Sequence, residues 1–369
     1  MITSIKWIAV LLFLSIAGQA ETMDSPAHQA AKRFMRGVNF GNFLETPPEQ
    51  RWLIQHTTND LAQARAEGFD HVRLPIGWHH YAGPAPDFKL SETIFARVDY
   101  MVTNATALGL AVILNIHNFD EFTTNPATNA AEFVAIWRQV ALHYSNAPAG
   151  VALELLNEPK DAATTEVMNP IYAEAIRQIR AGSPKRIIFV GPGKWNSVNE
   201  LSKLRLPEDD RNIIVTVHCY EPFYFTHQGA TWAGQDTKVT GIKFPGPPTE
   251  PLIPNASFQL NPWVRDWIER YNTLPPDRNP CGPQAFRVMV DKAKDWSKKN
   301  DRPVHFGEFG CFIQADRESR VRYYGSFRQA LDEAGLGWAI WDWKAGFRYW
   351  DAKAQQPVPG MREALFPKR

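Results

Sequence analysis

Two glutamates in this chain sit in surroundings suited to proton transfer rather than to a solvated surface. Glu158 lies in Asn157-Glu158-Pro159 and Glu308 in Gly307-Glu308-Phe309-Gly310, each following a short apolar run. Arg73, His117, Asn118, His218, Tyr220 and Trp341 stand at the ends of other such runs. A lone glutamate in that position reads equally well as half of a surface ion pair. Two of them, accompanied by imidazoles, a phenol, amides and a guanidinium, point to one pocket that handles protons. The chemistry that needs two carboxyl groups in different protonation states is cleavage of a glycosidic bond: one protonates the leaving oxygen, the other attacks or stabilises the cationic carbon.

The surroundings divide the two roles. Arg73 can hold a fixed cation beside Glu308 and Tyr220 can donate a hydrogen bond to it, so Glu308 is expected to stay ionised and act as nucleophile. Glu158 faces that negative charge in a partly dehydrated cleft, is expected to keep its proton longer, and would act first as acid and then as base. Asn157 is suited to bond a sugar 2-OH, a contact that strengthens in the transition state. His117 and His218 would orient hydroxyls and carboxylates, in tautomers that sequence does not assign.

Positioning these side chains requires many short strands that end on one face. The expected strands are Arg36–Phe40, His71–Leu74, Ala111–Ile116, Val151–Leu156, Arg186–Val190, Ile213–His218, Val304–Gly307 and Gly337–Trp341. Between them, Leu61–Glu67, Glu132–His143, Val167–Arg180 and Arg317–Glu333 repeat apolar residues at helical spacing. Eight apolar strands alternating with amphipathic helices, with no Gly-rich phosphate loop, predict an α/β fold of the (β/α)8 TIM-barrel type, whose active site lies at the C-terminal strand ends. The 369 residues suit one such domain with insertions. The main irregularity, about 221–283, is rich in Pro and Gly and would overhang the catalytic face.

Composition narrows the partners. With 40 Lys+Arg against 39 Asp+Glu, no positive field exists to collect nucleic acid or an anionic membrane. The 13 Trp include candidates for stacking on sugar rings; Trp341 is the first, Trp195, Trp232 and Trp78 follow, while Trp263, Trp267 and Trp296 read as packing residues. Residues 1–20 combine Lys6, an apolar stretch and a small-residue exit, the pattern of a secretory signal, so the mature chain 21–369 is expected outside the cytoplasm, secreted or periplasmic. An uncleaved anchor or a core strand is the alternative. Cys219, Cys281 and Cys311 match no zinc pattern and allow at most one disulfide.

In this set of residues the chain resembles glycoside hydrolase family 5, the cellulase family. The family's eight characteristic active-site residues fall in order on Arg73, His117, Asn157, Glu158, His218, Tyr220, Glu308 and Trp341. Arg36-Gly37-Val38-Asn39-Phe40-Gly41-Asn42-Phe43-Leu44-Glu45 is similar to the opening strand and loop of the β-1,4-glucanase branch, which implies sugar contacts at Asn42 and Glu45. His227-Gln228-Gly229-Ala230-Thr231-Trp232 is similar to the stretch after strand six, which implies contacts at His227 and Trp232. Asn118 stands where many relatives carry a second His. The resemblance implies a retaining endo-β-1,4-glucanase acting on β-glucan, and the chain is expected to work as a monomer without metal or cofactor. Mannan, xyloglucan or mixed-linkage glucan is an alternative polymer for the same machinery, and a non-catalytic carbohydrate-binding barrel is the alternative of another class.

Overall fold

The computed structural model describes residues 25–50 and 54–368. The expected signal, 1–20, lies outside the described residues. Eight parallel strands close into a barrel in sequence order: β1 Arg36–Asn39, β2 His71–Leu74, β3 Ala111–Asn115, β4 Val151–Glu154, β5 Ile188–Val190, β6 Ile213–His218, β7 Val304–Phe309 and β8 Gly337–Ile340. The β8–β1 pairing, Gly37 opposite Ala339, closes the ring. This is the (β/α)8 architecture that the alternation of runs implies.

Strand side chains alternate between the helix layer and the barrel axis. Outward residues such as Val38, Val72, Val112 and Val215 join the large core shared with the helices. Inward residues differ by depth. Near the N-terminal end, Ala111, Ile113, Ala152, Ile187, Phe189 and Ile214 form an apolar plug, sealed from below by Phe34 and the helix Pro26–Ala31. Replacing Phe189 by Ala would leave a cavity there and cost about 3–5 kcal/mol. Nearer the C-terminal end, Asn39, Arg73 and Glu154 point inward, all buried.

Local signals fix the helices around this frame. Thr57 and Asp60 form a reciprocal capping box at the start of Thr58–Glu67, and Gly68, at φ 108°, ends that helix in a conformation that glycine adopts without strain. Asp316 caps Arg317–Ala334 and Gly335 terminates it in the same left-handed manner. Gly37 serves tertiary contact instead. A Cβ there would lie 2.1 Å from His71 Nε2, so the imidazole packs on bare backbone.

Two strand boundaries differ informatively from expectation. Strand five begins at Ile188 because Arg186 is a clamp rather than a ladder residue; its guanidinium donates to the carbonyls of Tyr144, Ser145, Ala147, Pro148 and Val151. Strand seven runs two residues beyond Gly307, and its register against β6 shifts so that His218 pairs with Glu308. That irregularity brings an imidazole alongside a carboxylate.

The segment about 221–283 is ordered on the barrel rather than independent. It contains the helix Pro262–Thr273, whose Val264, Ile268 and Tyr271 are buried against the common core. All three cysteines are buried and free. Among the described residues, no helix is long and apolar enough to cross a membrane.

Candidate active site

Arg73, at the end of β2, organises the floor of the site. All five of its N–H groups are used, which is the full capacity of a guanidinium. Nε and Nη2 donate to the two oxygens of Glu154 at 2.7 Å each, and Nη2 also donates to Asn157 Oδ1 at 2.8 Å. Nη1 donates to Asn39 Oδ1 at 2.8 Å and to Glu308 Oε1 at 2.7 Å. The arginine is completely buried, so each missing partner would leave a desolvated donor at a cost of about 1–3 kcal/mol. Asn39 completes the frame by donating to the carbonyls of Gly307 and Ile340, tying β1 to β7 and β8.

Glu308 is held on both oxygens. Oε1 accepts from Arg73 and Oε2 accepts from the Tyr220 hydroxyl at 2.8 Å. Burial pushes its pKa above the usual carboxylate range, while the Arg73 charge and the Tyr220 bond pull it back. Glu158 has a different setting. One oxygen, Oε1, lies 2.9 Å from His218 Nδ1, and its side chain keeps 26 % exposure to the cleft. Burial is the main cause of a pKa raised to about 7, opposed by the more distant Arg73 and Lys160. The direct, charge-assisted bonds belong to Glu308 alone, so Glu308 is the carboxyl that ionises first. One oxygen from each glutamate and one nitrogen of His218 lie within 4.8 Å of one another.

The imidazoles of His117 and His218 are neutral, and an asparagine assigns the proton of the first. Burial lowers His218 to about 4 and His117 well below its ordinary value. Asn115 Oδ1 accepts from the Ile76 amide, which turns its Nδ2 to His117 Nδ1 at 3.3 Å. His117 therefore carries its proton on Nε2. Its ring lies parallel to Trp341 at 5.6 Å. Gly41 backs onto that indole, where a Cβ would approach to 2.5 Å.

A cavity of about 840 Å³ opens above this floor. It is lined by His117, Asn118, Asn157, Glu158, His218, Tyr220, His227, Trp232, Glu308 and Trp341, ten of the residues singled out from sequence. Arg73 lies beneath it. Trp195 and Trp232, 56 % and 64 % exposed, stand along the same cavity. Fixed by Arg73 at Oδ1, Asn157 leaves its Nδ2 as a donor for the cavity.

Several sequence expectations change here. Asn42 and Glu45 do not line the cavity. The Glu45 carboxylate is buried and accepts the backbone N–H groups of Asn42 and, at 2.8 Å, of Phe43, so it caps its own loop instead of presenting oxygens to a ligand. Trp78 is fully buried and offers no stacking face, whereas Trp263, expected in the core, is 60 % exposed. Glu154, Asn39 and Asn196 are not among the site residues that the sequence singles out. Glu154 did carry a signal, because a carboxylate inside an apolar parallel strand demands a buried cation. Of metal-type donor groups among the described residues, only Glu158, His218 and Glu308 converge, and both Glu308 oxygens are already committed to Arg73 and Tyr220.

Comparison with known proteins identifies a family. The family model described as cellulase (glycosyl hydrolase family 5) matches residues 35–346. Endoglucanase H of Acetivibrio thermocellus is 27 % identical over 85 % of this chain and 30 % of its own length. Endoglucanase 3 of Fibrobacter succinogenes is 28 % identical over 88 % of this chain and 52 % of its own. The chain thus spans between about a third and a half of the length of these relatives. Two structures of Thermotoga maritima Cel5A, in complex with cellobiose and with mannotriose, superpose with TM-scores of 0.81 and 0.80; each is 31 % identical and covers 92 % of this chain and 100 % of its own. The barrel, the paired carboxyl groups and the match over most of its length place this chain in glycosyl hydrolase family 5.

Proposed function

We propose that this protein is a secreted, retaining endo-β-1,4-glucanase that works by double displacement, with Glu308 as nucleophile and Glu158 as acid/base. The observation that carries the reading is the separation of the two carboxyl groups. Oxygens within 4.8 Å of each other leave no room for a water between nucleophile and sugar, and retaining enzymes hold the pair at about 5–5.5 Å, against about 6.5–9.5 Å in inverting ones.

The steps follow from the contacts. Ionised Glu308 attacks the anomeric carbon while the Glu158 proton passes to the departing glycosidic oxygen. Once Glu308 is esterified its charge is gone, so Glu158 ionises more easily and removes a proton from the incoming water. That water attacks the same face from which the first sugar left, expels Glu308, and restores the original configuration. Asn157 Nδ2 donates to the 2-OH and Trp341 lies beneath the sugar beside the cleaved bond. His227, Asn118 and Trp232 meet further hydroxyls and ring faces along the cavity. Each of these groups comes from one chain, so a monomer suffices, and the chemistry asks for no cofactor. Export rests on the signal-like sequence of residues 1–20.

The glucan assignment rests on the endoglucanase relatives. Mannan is the second reading, favoured by the mannotriose complex of the Thermotoga protein. Hydrolysis of carboxymethylcellulose, lichenan, xyloglucan and glucomannan separates them: highest kcat/KM on the β-1,4-glucan supports the proposal, and activity confined to mannan overturns it. Proton NMR of the first product formed from cellotetraose tests retention on the same samples.

A further inference from the structure

Directly after β5 the chain takes an unusual course. Lys194, Trp195 and Asn196 all adopt left-handed backbone conformations, at φ 52°, 58° and 54°. Such a conformation costs about 1 kcal/mol or more for most side chains and least for Asn, so three in a row need a structural return. The turn holds both the loop that carries Glu158 and the imidazole beside it. The Trp195 amide donates to the Pro159 carbonyl at 3.0 Å, next to Glu158. Asn196, completely buried, brings Nδ2 to 3.3 Å from His218 Nε2. Gly191 leaves room for this, since a Cβ there would lie 2.6 Å from Asn196 Oδ1.

A neutral imidazole has one N–H and one lone pair, so whatever faces Nε2 decides what Nδ1 offers. Nδ1 lies 2.9 Å from Glu158 Oε1 and 3.7 Å from Glu308 Oε2. With the proton on Nδ1, the imidazole donates to Glu158 Oε1, and the carboxyl proton of Glu158 is confined to Oε2, the oxygen left for the cleft. With the proton on Nε2, the lone pair on Nδ1 would draw the Glu158 proton onto Oε1, pointing it at the ring and away from a leaving group. An amide donating to Nε2 selects the first arrangement. It leaves Asn196 Oδ1 without a partner, a smaller penalty than an unpaired buried N–H.

We propose that Asn196 is a positioning residue for the proton donor: by donating to His218 Nε2 it fixes the tautomer that keeps the acid proton of Glu158 on the oxygen facing the glycosidic bond. This rests on the reading of Glu158 as acid/base. The role differs from merely holding the fold, because it matters only when the leaving group needs a proton.

The test compares kcat/KM on cellotetraose, whose alcohol leaving group needs protonation, with kcat/KM on 2,4-dinitrophenyl β-cellobioside, whose phenolate does not. Asn196→Asp keeps shape and backbone preference but offers only acceptors to Nε2. We expect a loss of about tenfold or more on cellotetraose and less than about threefold on the activated glycoside. Asn196→Gly suits φ 54° and removes the amide, and it should show the same selectivity with a smaller loss. Equal losses on both substrates, or none on either, would overturn the proposal. Glu158→Ala is the control. If it is selective and the Asn196 variants are not, only the role of Asn196 fails; if Glu158→Ala is not selective, the acid/base reading fails and this proposal with it.

Discussion

The two glutamates follow or end β4 and β7, three strands apart in one barrel, yet their surroundings differ in kind. Glu308 is fixed on both oxygens by a cationic and a phenolic donor. Glu158 touches a single neutral imidazole and keeps an edge in the cleft. The lesson is that burial alone does not choose between nucleophile and acid, since it raises both carboxyls. Directed donors choose. On the proposed mechanism, the carboxylate that must stay ionised is given a cationic and a phenolic donor, and the one that must carry a proton is given only a neutral imidazole.

The comparison is broken most severely by removing the charge it protects. Glu308→Gln should lower turnover on the order of 10⁴-fold or more, with thermal unfolding still cooperative and ligand affinity retained. A smaller effect is expected when the donor is changed. Arg73→Lys keeps a positive charge but forfeits the fork that serves Glu154, Asn157, Asn39 and Glu308 together, and should destabilise the fold by about 3 kcal/mol in urea titrations. Tyr220→Phe is gentler. Removing its O–H raises the Glu308 pKa, so the proposed nucleophile would be ionised only at higher pH, and the acid limb of kcat/KM should move upward with about a tenfold loss below it.

The smallest expected effect concerns stability at the Glu158 side. Its folded pKa of about 7 lies above the unfolded value of 4.5, so the folded state binds the proton more tightly. The contribution to stability is therefore most favourable below pH 4.5 and declines as pH rises through about 7. Glu158→Gln, which cannot ionise, should match the wild type at pH 4 and exceed it at pH 8 by on the order of 1–2 kcal/mol, allowing for the side chain's partial exposure. No gain at pH 8 would mean that the Glu158 environment does not resist ionisation. It would remove the asymmetry between the two carboxyls.

What could be read from sequence follows the range of the interactions involved. The barrel is encoded in local periodicity and short parallel runs, and strand-end residues such as Glu158, His218 and Glu308 inherit their meeting place from it. Boundaries are less legible: strand five starts two residues later than expected because Arg186 takes another task, and strand seven ends two residues later than expected. The supporting residues were harder. Asn39 and Asn196 act through partners 34 and 22 positions away, and an asparagine carries no sequence mark of which imidazole or guanidinium it will meet. Glu45 shows the opposite error: motif similarity pointed to a sugar contact, but the loop folds its amides onto the carboxylate. Burial likewise separates Trp78 from Trp232, which composition alone treats alike.

The covalent step can be observed directly. Incubation with 2,4-dinitrophenyl 2-deoxy-2-fluoro-β-cellobioside, which forms the glycosyl-enzyme readily and releases it slowly, followed by proteolysis and mass spectrometry, locates any sugar ester on the chain. The account predicts one stoichiometric label on the peptide carrying Glu308, lost in Glu308→Gln. A label on Glu158, or rapid turnover with no labelled peptide and an inverted product, would contradict it.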